Sequence, residues 1–353
     1  MPLPTEPIGS IPRPPTLIEG MGAAAAGSIS ADALESRYDE AVRDTLRRFE
    51  ATGSPVITDG EQRKPSFATY PVAGLPLANG GVTIPFADGH TRQLPILTEA
   101  PFRYATKASS YLEAAQKLTA TPLKQAVISA SAISLMYPQH GMDGYSQEAF
   151  LEDLVSEAAS EIRTCLADGA TTVQIDFTEA RLSLVLDPTK ALLNAFVDLN
   201  NRVLAQLTPA ERARVGVHTC PGGDQDSTHS ADVDYRDLLP DLFRMDAGAF
   251  YVQLASEPDR QRVLKMLGSL ASAEKRVFVG VIDPLDSRVE TPEEVRDRIL
   301  EAAQHIDPAH LGSTDDCGFS PFGDDLSTSR DTAFAKITAR VEGNALASAE
   351  LGI

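Results

Sequence analysis

The sequence predicts a closed (β/α)8 barrel, on three observations. Eight short runs rich in β-branched residues recur along the chain, helical patterns follow most of them, and 353 residues suit eight such repeats with one elaborated loop. The runs cover residues 7–11, 55–60, 125–131, 172–177, 215–220, 249–254, 277–282 and 311–314. A doubly wound open sheet is the other arrangement of the same alternating units.

The helices between the runs read from their periodicity and their ends. Residues 31–51 place Leu34, Tyr38, Val42 and Leu46 at four-residue spacing, which aligns them on one face. Residues 148–169 begin with an acidic turn and end on Gly169. Further helices are expected over 190–207, 235–245, 258–267, 291–306 and 327–342, and Thr291-Pro292-Glu293-Glu294 forms a capping box with proline at the first helical position. Residues 66–123 break the alternation. They are rich in Gly and Pro, alternate like a hairpin over 81–97 and carry one helix over 105–118, so they read as an insertion after the second strand that folds over one end of the barrel. The organisation expected is a single catalytic domain, 1–353, with that insertion.

Composition narrows the function. With 31 Lys and Arg against 50 Asp and Glu the formal net charge is -19, the wrong sign for a protein that neutralises nucleic-acid phosphates. Hydrophobic residues at 42% and charged residues at 23% are those of a chain with a sizeable core. No stretch approaches the roughly 18 apolar residues of a membrane helix, and residues 1–10 lack the basic and apolar regions of a signal peptide, so a cytoplasmic protein is expected. Three cysteines, Cys165, Cys220 and Cys317, are too few and too dispersed for a disulfide scaffold.

A barrel gathers its active site at the C-terminal ends of the strands. The residues finishing the runs are Ser10 and Arg13, Asp59 and Glu61, Ser129, Asp176, His218 and Cys220, Gln253 and Glu257, Asp283, and Asp315, Asp316 and Cys317. His218 and Cys220 stand two apart on an extended strand end and so project to one side. With Cys317 across the mouth and a nearby carboxylate they make a donor set for tetrahedral Zn2+, since sulfur ligands select zinc over Mg2+ or Ca2+. The plainer reading of a strand cysteine is a small buried hydrophobe, and it suits Cys165, which lies on the apolar face of a helix beside Ile162 and Leu166. His140 and His229 fall in polar loops and read as solvated or hydrogen-bonded.

Ile8-Gly9-Ser10-Ile11-Pro12-Arg13, Gly60-Glu61, Val173-Gln174-Ile175-Asp176, His218-Thr219-Cys220 and Asp315-Asp316-Cys317-Gly318 together resemble the catalytic barrel of cobalamin-independent methionine synthase, within the zinc-dependent thiol alkyltransferases. The resemblance runs in order through nearly the whole chain and matches a single-barrel form. It implies that His218, Cys220 and Cys317 are zinc ligands, that Glu61 and Asp176 hold the ammonium of homocysteine, and that the Ser10 loop meets the amino-acid carboxylate. Two positions depart from the family pattern. Its fourth ligand, a glutamate on the sixth strand, is matched by Gln253, with Glu257 four residues further on as the better donor; Glu257, Gln253 or water remain alternatives. Where the family has a histidine that protonates the leaving group, this chain has Leu285, so Asp283 or another acid must serve, or the methyl donor differs.

The function expected is methyl transfer to homocysteine from 5-methyltetrahydrofolate or methylcobalamin. The competing reading is alkyl transfer to another thiol, as in epoxyalkane:coenzyme M transferases. A sulfonate-bearing thiol would want cations, and Arg13, Arg63, Lys64 and Arg181 lie near the same motifs, although as surface charges they would do nothing in the site. A third class is a metal-free barrel such as a decarboxylase.

Overall fold

The structure, a computed structural model, describes residues 2–353. Its centre is a six-stranded parallel sheet of β1 (Lys124–Ile128), β2 (Thr172–Asp176), β3 (Val215–Thr219), β4 (Ala249–Val252), β5 (Arg276–Ile282) and β6 (Leu311–Asp315). The strands lie in sequence order, each inner strand pairing with the one before it and the one after it, and β1 and β6 form the edges. Consecutive parallel neighbours require a crossover over one face, and the helices Gln147–Ala167, Ala191–Leu204, Tyr235–Leu242, Arg260–Leu270 and Pro292–Ala303 supply it. Both faces of the strands are covered, so nearly every strand residue is buried, including polar ones such as Lys124, Gln125, Gln174 and Ser313.

The sheet is strongly curled. Lys124 of β1 sits 3.4 Å from the ring centroid of Tyr251 on β4, three strands away, and Glu6 accepts a hydrogen bond from the Tyr251 hydroxyl at 2.5 Å while standing 3.4 Å from the Lys124 ammonium. Ile8, Ala249, Tyr251 and Phe278 form a small apolar cluster of their own, with the Tyr251 and Phe278 rings stacked at 4.6 Å. These contacts lie on the concave side, because flat strands could not bring β1 to β4.

The first two expected strands, 7–11 and 55–60, are extended segments instead. The first is tied to β6 by a single parallel bridge, Thr5 to Ser313, and the second to β1 by a single bridge, Ile57 to Leu123. The physical reason is proline: Pro4, Pro7, Pro12 and Pro55 remove the amides that a longer ladder would need. The two segments meet each other, the Ile11 amide donating to the Gly60 carbonyl at 3.0 Å and the Thr58 hydroxyl to the Gly9 carbonyl at 2.8 Å.

Helix Ala31–Ala51 matches its expected span, capped by the Ser30 hydroxyl. The last helix, Arg330–Leu351, outruns the expected 327–342: Gly343, which reads as a stop, sits inside it because a Cβ there would fall 2.5 Å from Val295 of the neighbouring helix, and the Ala-rich turns continue to Gly352. The sequence reading missed helices Pro15–Ala25 and Glu179–Leu186 and a small hairpin pairing Gly223–Asp224 with Ser227–Thr228. The insertion forms its hairpin from Thr83–Pro85 and Thr91–Gln93 and its helix at Ala108–Gln116. Among the described residues no helix is long and apolar enough to cross a membrane.

Candidate active site

β3 ends on His218-Thr219, with Cys220 next, and β6 ends on Asp315, with Asp316 and Cys317 next. Two strand ends three positions apart in the curled sheet thus deliver three soft or borderline donors to one point. His218, Cys220 and Cys317 are buried, and their ligand atoms lie within 4.8 Å of one another. The two sulfurs are 2.9 Å apart. Burial pushes the Cys220 thiol well up, whereas the hydrogen bond from Cys220, with the His218 imidazole close by, holds Cys317 well below the usual thiol range. Neither ring nitrogen of His218 has a hydrogen-bond partner, although a buried unpaired polar group costs about 1–3 kcal/mol. An orphan imidazole beside two cysteine sulfurs is a donor set that fits a divalent metal of zinc type.

The trio opens into a cleft whose lining includes Ser10, Glu61, Asp176, Glu179, His218, His229 and Cys317. Ser10, Glu61 and Asp176 of the sequence reading therefore stand around one volume with two of the three metal candidates. Glu61 follows Gly60 in a left-handed turn, with φ of 56° and 68°, and this strained conformation is fixed by Asp59, whose carboxylate accepts from the Glu61 amide at 2.9 Å. Ser10 packs against Gly318, where a Cβ would fall 2.1 Å from the serine oxygen, so the glycine after Cys317 lets the two loops touch.

The carboxylates differ in their company. Glu61 accepts from the Lys64 ammonium at 2.8 Å, both side chains being buried, and Lys64 also donates to the Ala126 carbonyl. Burial pulls Lys64 down, but Glu61 and Asp59 outweigh it and keep the ammonium charged. Asp176 receives the Gln174 amide at 2.7 Å and has no cation within 4.0 Å among the described residues. Burial, with the Glu61 charge adding to it, pushes its carboxyl up to about 7.

Glu257 stands outside the trio. Its carboxylate accepts from Arg181 at 3.1 Å, and the same guanidinium nitrogen donates to Gln253 at 2.9 Å. Asp283 does not line the cleft; it accepts from the Leu285 amide at 3.0 Å, and burial raises its carboxyl. Leu285 itself approaches the cleft floor, 3.5 Å from where a Cβ on Gly223 would lie. Asp316, beside Cys317, accepts from the amides of Leu254, Ala255 and Ser256 and from the Ser256 hydroxyl, fixing the loop after β4.

The basic residues weighed for a sulfonate are all engaged. Arg13 is buried and donates to the carbonyls of Glu61, Lys64 and Phe322, Arg63 pairs with Glu35 and Asp39, Lys64 pairs with Glu61, and Arg181 holds Glu257. Arg13, Lys64 and Arg181 are thus internal ties rather than the surface charges expected. Of two further polar lining residues, the sequence reading placed His229 in a polar loop outside the site and did not single out Glu179. His229 is half-buried against Gly222 with its Nδ1 2.9 Å from the Ser230 hydroxyl, hydrogen-bonded as expected, and desolvation and the Arg181 charge hold its pKa at about 4; Glu179 begins a helix that no apolar period announced.

The family model described as "Cobalamin-independent synthase, Catalytic domain" matches residues 3–330. The chain belongs to that family. Among curated members, the methionine synthase of Sulfurisphaera tokodaii is 24% identical over 352 residues, covering 99% of this chain and 94% of its own length. The 5-methyltetrahydropteroyltriglutamate–homocysteine methyltransferase of Nitratidesulfovibrio vulgaris is 24% identical over 319 residues, 90% of this chain but 38% of that longer relative. Among solved structures, a B12-independent methionine synthase from Shewanella sp. W3-18-1 in complex with selenomethionine superposes with a TM-score of 0.77 at 19% identity, covering 99% of both chains. At that identity the likeness speaks to the fold, which is the one this family member displays around its metal candidates.

Proposed function

We propose that this family member is a zinc-dependent methyltransferase that methylates the thiol of homocysteine, built as one closed (β/α)8 barrel over 1–353 with 66–123 inserted after the second segment. The observation that carries the reading is the convergence of His218, Cys220 and Cys317 on a cleft that also holds an uncompensated Asp176. Closure of the ring is supported by the bridges from Thr5 to β6 and from Ile57 to Leu123, and by the hydrogen bonds joining the first two segments.

His218, Cys220 and Cys317 would hold the zinc. Bound there, zinc would supply Lewis acidity that lowers the pKa of a substrate thiol, so that the thiol would release its proton to solvent at neutral pH with its sulfur still nucleophilic. The protein's own residues do the rest. Arg181 keeps Glu257 turned to itself and outside the trio, so the incoming thiol rather than Glu257 would complete the donor set. Asp176 orients the amino acid through its ammonium, and the Ser10 loop faces its carboxylate. Ile84, Phe86 and Phe322 wall the cleft with apolar surface that excludes water around the methyl donor, 5-methyltetrahydrofolate or methylcobalamin. Asp283, its carboxyl raised by burial, lies behind Leu285 and outside the cleft lining, so the proton that the departing group takes up would reach it from Asp283 through solvent or come from another acid.

A panel of methyl and epoxide donors, offered with homocysteine or 2-mercaptoethanesulfonate, tests the assignment. Zinc-loaded protein should form methionine and leave the sulfonate thiol unchanged; alkylation of the sulfonate thiol in preference would replace this reading with the coenzyme M type.

A further inference from the structure

His229 is the half-buried imidazole of the cleft that the reaction above leaves without a task. It lies in the loop after Cys220, where the hairpin pairing Gly223–Asp224 with Ser227–Thr228 turns the chain back against the cleft. Two hydrogen bonds fix which ring nitrogen carries the proton. The Ser230 hydroxyl donates to the Pro221 carbonyl at 3.1 Å and stands 2.9 Å from His229 Nδ1. A hydroxyl has one proton, and this one is committed to the carbonyl, so the network assigns the imidazole proton to Nδ1, which donates to Ser230. The lone pair of the neutral ring is therefore on Nε2. That nitrogen hydrogen-bonds to nothing among the described residues and, unlike both ring nitrogens of His218, is not sealed from solvent.

A glycine sets the position of the ring. A Cβ on Gly222 would fall 1.8 Å from Nε2, and the Gly222 amide donates to the Cys220 sulfur at 3.4 Å, so the imidazole abuts the backbone that carries a metal candidate. Desolvation and the Arg181 charge hold its pKa at about 4, which keeps the ring neutral. The other bases of the cleft are engaged. Glu61 accepts from Lys64, the unpaired oxygen of Glu179 is fully buried, and Asp176 is assigned to the ammonium above. His229 is thus the lining base with an open lone pair. A thiol held at the trio needs only a weak acceptor, since coordination itself lowers its pKa. An acceptor of low pKa passes the proton on and is neutral again for the next turnover.

We propose that His229 is the base of the transfer, its Nε2 taking the proton of the incoming thiol on that proton's way to solvent. The S–H bond breaks with its electron pair left on sulfur, an N–H bond forms at Nε2, and solvent water then takes the proton and restores the neutral ring. The assignment rests on the metal-bound thiol of the reading above and deepens it. The competing role is a wall: His229 meets Phe86 of the inserted hairpin edge-on at 5.6 Å, and its ring would then serve only to seat that hairpin.

The test follows formation of the metal-bound thiolate rather than turnover. Protein loaded with Co2+ in place of zinc is mixed with homocysteine in a stopped-flow instrument, and the added sulfur-to-cobalt charge-transfer absorbance is recorded. His229→Phe, which keeps a ring against Phe86 and removes both nitrogens, should bind as much cobalt as wild type and reach the same final absorbance about a hundredfold more slowly, the lower end of what a positioned base contributes. His229→Ala should be slowed likewise and then accelerated by added imidazole, which should leave the wild-type rate unchanged. Nitrogen NMR of histidine-labelled, metal-free protein, with the His229 signals identified by their loss in His229→Phe, should show the neutral Nδ1–H tautomer near neutral pH. Equal rates in wild type and His229→Phe, no acceleration of His229→Ala by imidazole, or an Nε2–H tautomer would each overturn the assignment and leave the thiol reading standing. No added absorbance in wild type would overturn both together.

Discussion

Asp176 and Glu61 were paired by the sequence as equal carboxylates, and at the scale of single residues the structure separates them. Glu61 is answered by Lys64, three residues on, while Asp176 has one amide and no cation. An Asp176→Asn protein should therefore bind homocysteine about 1.5–3 kcal/mol more weakly, the worth of a hydrogen bond to a charged group, with its zinc content unchanged. Calorimetry alongside elemental analysis checks both halves; loss of zinc together with affinity would make Asp176 part of the metal centre instead. The residues legible in sequence were those with a partner two positions away or a motif around them, as with His218 and Cys220. Glu179 and His229 carried no such mark. Their roles depend on which loop the fold lays beside the cleft, and a lone glutamate at a helix start reads like any other first-turn acid.

At the scale of elements, the inserted hairpin is held to the loop that follows Cys220. Arg92 pairs with Asp224 at 2.5 Å and with Asp324 at 2.9 Å, His90 adds a contact to Asp224 at 3.1 Å, and the Ala87 amide donates to the Thr228 carbonyl at 2.9 Å. Asp224 is fully buried, so removing its main cation strands a charge. Arg92→Ala should cost about 3 kcal/mol in denaturant unfolding and loosen the wall formed by Ile84 and Phe86, raising KM for the methyl donor. An unchanged stability would mean that His90 and water compensate for the guanidinium. The six sheet strands were readable because each is a compact β-branched run buried on both faces. Segments 7–11 and 55–60 look alike by composition, yet their prolines withhold the amides a ladder requires. Gly280 shows the opposite limit: a Cβ there would fall 1.9 Å from Asp316, a reason for glycine visible only when β5 and the end of β6 are side by side.

The whole molecule keeps its net charge of -19 on an acidic surface and places its buried cations where they tie segments together. Lys124 links β1 to the first segment through the Pro7 carbonyl at 2.9 Å, and Lys336 links the last helix to the loop after β5 through Glu290 at 2.8 Å. The alternation of strand and helix made this architecture readable at the start, and the order of motifs around the mouth made the metal centre readable with it. The central claim is that His218, Cys220 and Cys317 bind one catalytic zinc. Elemental analysis of purified wild type and of Cys317→Ser, each confirmed as folded by circular dichroism, tests it most directly. Wild type should carry about one zinc per chain and the variant should lose most of it, since a closed set of three protein ligands has no spare donor. Full zinc retention in the folded variant would contradict the account.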